Sequence, residues 1–312
     1  MFKIKLIRIF LWLLLWSIPF QVFGQQKPIV SQYMFNGLVL NPAYAGVHNH
    51  MNATAVYRDQ WVNLEGAPTT KTITAHSNLK GKNIGLGMIV SNDRIGVHSD
   101  NSMYAVYSYK IKTSVGTLSM GLQGGFNYLS SNYSLLELKD EADPLLSSAI
   151  GSMKLNFGTG IYFSTPTSYI GLSVPYIVKN RNINNLDIGN SIEDSRYYYL
   201  TAGKVLDLTN RIKIKPSALL RIEEGMPIAG DINVNLYLDD VINIGASWRS
   251  GDSFVSLFEL KLNDYFRFGY AYDWIISDLS QFSNGSHEFM INYRLNLFAP
   301  RKHKMCPGPF YF

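Results

Sequence analysis

The residues with the best claim to chemistry are six histidines, one cysteine and a Ser-His pair. His48, His50, His76, His98, His287 and His303 are scattered along the chain, with no helical metal-ligand spacing among them. His48 and His50 share a face if the chain is extended there, but no nearby Cys or carboxylate completes a coordination set. Ser286-His287, with Asp278 close by, supplies the parts of a hydrolytic site. Neighbouring strand residues point to opposite faces, however, and the chain has no Gly-x-Ser-x-Gly elbow to expose a nucleophile. Gly85-Leu-Gly87 and Gly121–Gly125 fall inside strand-like stretches, so they read as bends or close backbone contacts rather than phosphate loops. Cys306 is a candidate reactive thiol or an ordinary free cysteine of a tail; being single, it excludes an intramolecular disulfide. No catalytic, cofactor or metal set is expected.

The elements around these residues are strands. From Ser286 to Leu297, Phe289, Ile291, Tyr293, Leu295 and Leu297 fall on one face and Glu288, Met290, Asn292, Arg294 and Asn296 on the other, the period of two that defines a β-strand. Fourteen such candidates follow from alternation and turn punctuation, near 51–59, 69–78, 83–92, 101–111, 116–128, 154–163, 168–177, 195–204, 212–222, 228–238, 241–249, 253–261, 265–274 and 286–297. Ile212, Ile214, Ala218, Leu220 and Ile222 oppose Lys213, Lys215, Ser217 and Arg221; Ile232, Val234 and Leu236 oppose Asp231, Asn233 and Asn235. Lys213, Lys215, Arg221, Asp231 and Arg294 therefore line a polar wall that should meet water.

Two architectures accommodate such strands: a soluble β-sandwich, or a transmembrane antiparallel barrel with a polar lumen. The connections favour the barrel. Leu79–Lys82, Lys112–Val115, Thr165–Thr167, Leu206–Arg211, Asp239-Asp240 and Leu262–Asp264 are short. They alternate with Trp61–Pro68, Asp93–Asp100, Leu129–Met153, Val178–Asp194 and Ile275–Gly285, which are longer, although Glu223–Pro227 and Ser250–Asp252 are not. Short turns on one rim and long loops on the other is the outer-membrane pattern, and an even strand number places both barrel ends at the short-turn, periplasmic rim. The strands are about ten residues long, as a tilted spanning strand requires. Charged residues make up 16% and aromatics 13% of the 312 residues, a low-charge, aromatic-rich composition that suits the same reading. Trp61 and Trp274, near strand ends, are expected in an interfacial girdle.

The ends of the chain differ from its body. Lys3, Lys5 and Arg8 precede an apolar run over Ile9–Phe20, and Gly24 precedes Gln25; residues 1–24 read as a secretory signal peptide, too short in its apolar core for a spanning helix. Without those three basic residues, the formal charge of +5 falls to about +2. Arg301, Lys302 and Lys304 carry most of the remainder in a basic tail over 299–312. The body, 51–298, is then near neutral, which argues against nucleic acid. Residues 25–50 carry turn signals rather than alternation, and read as an ordered segment that either plugs the lumen or lies under the barrel. The acidic loop with Glu137, Asp140, Glu141 and Asp143 reads as solvated and has no metal-ligand spacing.

Three stretches resemble the PorP/SprF family of outer-membrane proteins of the Bacteroidota type IX secretion system. They are Ser31-Gln-Tyr-Met-Phe-Asn-Gly-Leu-Val-Leu-Asn-Pro-Ala-Tyr-Ala-Gly46, Tyr57-Arg-Asp-Gln-Trp-Val-Asn-Leu-Glu-Gly-Ala-Pro-Thr-Thr70 and Gly285-Ser-His-Glu-Phe-Met-Ile-Asn-Tyr-Arg-Leu295, with Cys306-Pro307 and a terminal aromatic beyond. The terminal Cys-Pro-Gly-Pro-Phe-Tyr-Phe is longer than the Cys-Pro-aromatic ending of that family. The resemblance implies a non-enzymatic barrel without cofactors. Its implied partners are outer-membrane lipid, periplasmic ring and lipoprotein components, and a cognate secreted surface protein held through its C-terminal domain, an adhesin in gliding bacteria. Tyr33, Asn36, Asn41, Pro42, Tyr44 and Gly46 of the first stretch are candidates for partner binding or plugging; Arg301, Lys302, Lys304 and Cys306 are the candidate contacts of the tail. The residues alone leave a diffusion channel or hydrophobic-solute transporter as the alternative.

Overall fold

A computed structural model describes residues 30–48, 50–79, 82–133, 149–179 and 195–295. Its strands are β1 (Met51–Asp59), β2 (Thr69–Asn78), β3 (Ile84–Ile95), β4 (His98–Lys112), β5 (Thr117–Asn132), β6 (Ala149–Ser164), β7 (Ser168–Val174), β8 (Tyr197–Lys204), β9 (Leu206–Asp207), β10 (Ile212–Glu223), β11 (Ala229–Leu238), β12 (Ile242–Arg249), β13 (Ser253–Lys261), β14 (Phe266–Ile275) and β15 (Ser286–Leu295). Each pairs antiparallel with its neighbour, and the two-residue β9 continues the position of β8 against β10. The last strand pairs back onto the first from Met51↔Leu295 to Asp59↔His287. The result is a closed antiparallel barrel of fourteen strand positions.

Alternation sets an inverted burial. On β11, Ile232 is 57% exposed while Asp231 and Asn233 beside it are buried. Leu122, Leu155, Leu172, Ile244 and Ile291 repeat the pattern around the barrel. A continuous apolar belt of this extent would not persist in water, which decides against the soluble sandwich. Aromatic residues border the belt. The register places Trp248, Phe254 and Trp274 side by side on β12, β13 and β14, and Phe266 packs on Tyr293 toward the opposite rim, with ring centroids 4.9 Å apart. From Phe266 to Trp274 is about 27 Å along the strand, or about 20 Å across the bilayer at ordinary barrel tilt, comparable with the apolar band of outer-membrane barrels.

The fourteen expected strands are present, with corrected ends. The expected long loop Asp93–Asp100 is instead a tight turn: β3 and β4 run on to Ile95 and His98, and Gly96 adopts φ +54°. Cross-strand bonds continue the ladder there, from Ser91 Oγ to Ser102 Oγ (2.8 Å) and from Asn92 Nδ2 to Asn101 Oδ1 (2.8 Å). β5 and β6 likewise extend to Asn132 and back to Ala149. These stretches, Asp93-Arg-Ile95, Leu129-Ser-Ser-Asn132 and Ala149-Ile-Gly-Ser152 among them, carry too few large apolar residues for an alternation to be read. β7 stops at Val174 before Pro175, which cannot donate to the ladder. Leu206–Asp207, expected within a turn, forms β9.

Residues 30–48 lie inside the ring. Three single-turn 3-10 helices, Tyr33–Phe35, Gly37–Val39 and Pro42–Tyr44, give this segment its shape. Val30, Tyr33, Met34 and Leu40 pack with inward residues including Val56, Tyr199, Leu219 and Leu257. Leu38, Ala43 and Tyr44 pack with Ile89, Tyr104, Val106 and Tyr162. Each large apolar side chain so buried stabilises the arrangement by roughly 1.5–3 kcal/mol.

Candidate functional site in the barrel lumen

The turn chemistry of the segment begins with Asn41. It is extended (φ −142°, ψ 115°), and its Oδ1 accepts from the Ala43 N–H at 2.9 Å, capping the turn that Pro42 opens. Proline suits that first position because its missing N–H would have had no partner. The Asn41 Nδ2 donates outward to the backbone oxygens of Ile161 (3.0 Å) and Leu172 (3.4 Å) on β6 and β7.

Strand side chains hold the rest of the segment from around the ring. Thr74 Oγ1 donates to Asn36 Oδ1 (2.9 Å), Ser173 Oγ to the Leu40 carbonyl (2.6 Å) and Ser108 Oγ to the Ala45 carbonyl (2.6 Å). Asn233 Nδ2 donates to the Tyr33 hydroxyl (2.6 Å), and Lys110 Nζ to the Gly46 carbonyl. Inward glycines form the seat: a Cβ on Gly121 would strike the backbone of Pro42 and Ala43, and one on Gly85 the Ala45 carbonyl. The close-contact reading of these glycines is the one the structure supports.

The segment runs lengthwise. Ala45, Gly46 and His48 lie near the rim of short turns, where β1 begins; Ser31 and Gln32 lie near the rim of long loops. At that far end Ser31 is the centre of a buried ionic network. Its N–H donates to Glu288 Oε2 (2.6 Å), and the Gln32 N–H to Glu288 Oε1 (2.8 Å). Its hydroxyl donates to Asp273 Oδ1 (2.8 Å) and accepts from Arg58 Nη1 (2.7 Å). Arg58 pairs with Asp273 (2.6 Å) and Glu288 (3.0 Å), and Arg249 with Asp231 (3.3 Å) and Asp273 (3.5 Å). Arg58 is 2% exposed and Glu288 0%.

A second cluster marks the opposite end. His48 stacks on His50 (5.0 Å between centroids) and on His76 (5.8 Å), and Tyr44 meets His48 and His76 edge-on. His76 Nδ1 accepts from the Gly46 N–H (3.0 Å), and His48 Nε2 meets the Tyr44 hydroxyl (3.2 Å). Among the described residues, no group of three or more His, Cys, Asp and Glu is arranged to hold a metal ion.

The structure brings Tyr33, Asn36, Asn41, Pro42, Tyr44 and Gly46 together among inward-facing strand residues, and all six are buried. Lys213, Lys215, Arg221, Asp231 and Arg294 face inward, as their alternation requires. The wet wall expected there is corrected. Lys215 is fully buried beneath the Met34 carbonyl (3.3 Å), Asp231 pairs with Arg249, and Arg294 Nε donates to Asn292 Oδ1 (2.8 Å). Lys215 thus meets the segment, and Asp231 and Arg294 meet other inward side chains. Lys213, near the short-turn rim, reaches a half-exposed partner, Asp240 (3.3 Å). Ser286 points inward and His287 outward, where Tyr270 OH meets its Nδ1 (2.8 Å), so the pair assembles no hydrolytic site. At the long-loop rim Glu224 pairs with Lys179 and Arg196, and the hydrogen bond from Lys179 holds its carboxyl below the usual range. Residues 1–24, expected to be a leader, the acidic loop residues Glu137, Asp140, Glu141 and Asp143, and the tail residues Arg301, Lys302, Lys304 and Cys306 lie outside the described residues.

Sequence reasoning missed the Ser31 network and the joining of His76 to His48 and His50. The signal for the first was present: Asp231, Asp273 and Glu288 all fall on inward faces near strand ends, as do Arg58 and Arg249.

Solved barrels resemble this one at low identity. The outer membrane protein Omp33 of Acinetobacter baumannii has a TM-score of 0.46 at 9% identity, covering 80% of this chain and 99% of its own. A FadL homologue of Pseudomonas aeruginosa has 0.45 at 10%, covering 88% and 95%. The toluene transporter TodX of Pseudomonas putida has 0.43 at 10%, covering 83% and 93%. Comparison with curated protein sequences gives no match. The family described as type IX secretion system membrane protein PorP/SprF matches over residues 22–293. That span takes in the lumen segment and the strands up to β15, so the chain belongs to the PorP/SprF family of type IX secretion system membrane proteins.

Proposed function

We propose that this chain is a non-enzymatic outer-membrane barrel that supports the secretion, the surface attachment, or both, of a cognate adhesin-like protein of the gliding and adhesion machinery. The observation that carries this reading is the occupied lumen. Residues 30–48 act as a plug, bonded to strands around the ring and seated on Gly85 and Gly121, so the barrel works through its rims and its lipid face rather than as a conduit. In this reading residues 1–24 are a cleaved leader, and the short-turn rim with the basic tail Arg301, Lys302, Lys304 and Cys306 faces periplasmic ring and lipoprotein components. The long-loop rim faces the surface protein, which is held through its C-terminal domain.

Affinity purification of the tagged protein from outer membranes in mild detergent, with mass spectrometry of what accompanies it, tests this. A large surface protein retained through its C-terminal domain is the expected result. A barrel that purifies alone, from a strain whose deletion mutant exports every cargo normally, overturns it. Ion conductance by the purified wild-type barrel in a planar bilayer would instead favour a diffusion channel or solute transporter.

A further inference from the structure

The lumen segment and the barrel seam are built around each other. β1 and β15 are the first and last strands, and their pairing closes the ring. Arg58 and Glu288 stand opposite each other across that seam, and both bond to Ser31. Gln32 adds its N–H to Glu288 Oε1 and its side-chain amide to the Glu288 carbonyl (3.4 Å). Ser31 is 257 positions from Glu288 and 242 from Asp273 in sequence, whereas Asn36 and Gly46 reach β2 across only 38 and 30. The near contacts cost little loop entropy and can form with β1 and β2 alone; the far ones must wait for the last strands. The seat is also too close for late threading. The backbone of Pro42–Ala45 lies flush on Gly121 and Gly85, and Tyr33, Met34 and Tyr44 fill the space between the walls. A closed ring leaves no passage for these side chains.

We infer that residues 30–48 are an internal template for closure of the barrel: they dock on the inward face of the early strands and capture β14 and β15 when Asp273 meets the Ser31 hydroxyl and Glu288 the N–H groups of Ser31 and Gln32. The inference concerns assembly of the chain and is independent of which cargo, if any, the finished barrel serves.

The full-length chain, unfolded in urea and diluted into short-chain phosphatidylcholine vesicles, is followed by the compact band that a closed barrel gives on an unheated gel. Ser31→Ala combined with Gln32→Pro removes the hydroxyl, the Gln32 N–H and the Gln32 side-chain amide; Ser31→Ala alone removes only the hydroxyl. A lipid-face control, Ile244→Ala, removes stability away from the lumen. A template predicts closure slowed about tenfold in the double variant and by an intermediate factor in the single one, with the opening rate of the finished barrel changed far less. Ile244→Ala should do the reverse. Closure at the wild-type rate in Ser31→Ala, with faster opening, would overturn the inference, because the network would then form only after the ring. Should the double variant never close, the single variant decides between the two outcomes.

Discussion

Arg58 of β1 and Glu288 of β15 face each other directly across the closing seam, 3.0 Å apart, and share Ser31 of the lumen segment as a common partner. Neither side chain has access to water, so Arg58 depends on Glu288 and Asp273 for its charge to be tolerated, and Glu288 on Arg58 and the N–H groups of Ser31 and Gln32.

Removing one member of that pair should therefore cost more than removing both. Glu288→Ala is expected to destabilise the barrel by roughly 1–3 kcal/mol, less than an orphaned buried charge would cost, because Arg58 keeps Asp273 at 2.6 Å. Arg58→Met added to it should recover part of the loss, with a coupling of about 1–3 kcal/mol. The urea midpoint at which the compact gel band disappears measures all four corners of the cycle; additive losses would refute the pairing.

Gly121→Ala tests the seat of the segment. The added methyl meets the backbone of Ala43 and Pro42 rather than a movable side chain, so the segment must lift. The expected outcome is conductance in a planar bilayer that the wild-type barrel lacks. An equally silent variant would mean that the wall yields instead.

The lipid face has its own prediction. Ile244 is 51% exposed on β12, beside Phe258 of β13, and Ile244→Arg should cost about 2–4 kcal/mol in lipid vesicles, as a cation at bilayer depth does. The same substitution at Leu208, 59% exposed beyond the end of β9 near the short-turn rim, should cost about 1 kcal/mol or less.

Trp248 and Trp274 flank Phe254 in one row at the end of the belt toward the long loops. Lipids brominated close to the headgroup should quench their fluorescence more strongly than lipids brominated at the chain end. The opposite order would place this row at the bilayer centre.

The barrel was legible because lipid enforces period two wherever a strand crosses it; Ile232 between Asp231 and Asn233 is readable at sight. Where β3–β6 rise past the belt the constraint lapses, and Asp93, Arg94, Ser99 and Asp100 look like loop. The lumen was harder. Asn41-Pro42 announces its own turn, since that chemistry is local, but the partners of Asn41 lie 120 and 131 residues away. A polar wall that meets water and one that meets a peptide have the same composition, so Lys215 and Asp231 could not reveal what stands in front of them. His76 belongs with His48 and His50 only once β2 is placed beside the segment.

The lengthwise course of residues 30–48 also has a mechanical meaning. The polypeptide reaches one rim at Ser31 and the other where it enters β1, and Ser31 is tied at once to β1, β14 and β15. A pull applied to the chain ahead of Val30 loads those ties together, across three hydrogen-bonded strands, instead of opening them one after another. The barrel is then a cleat: tension from one face of the membrane is spread into the whole ring before it can reach the other.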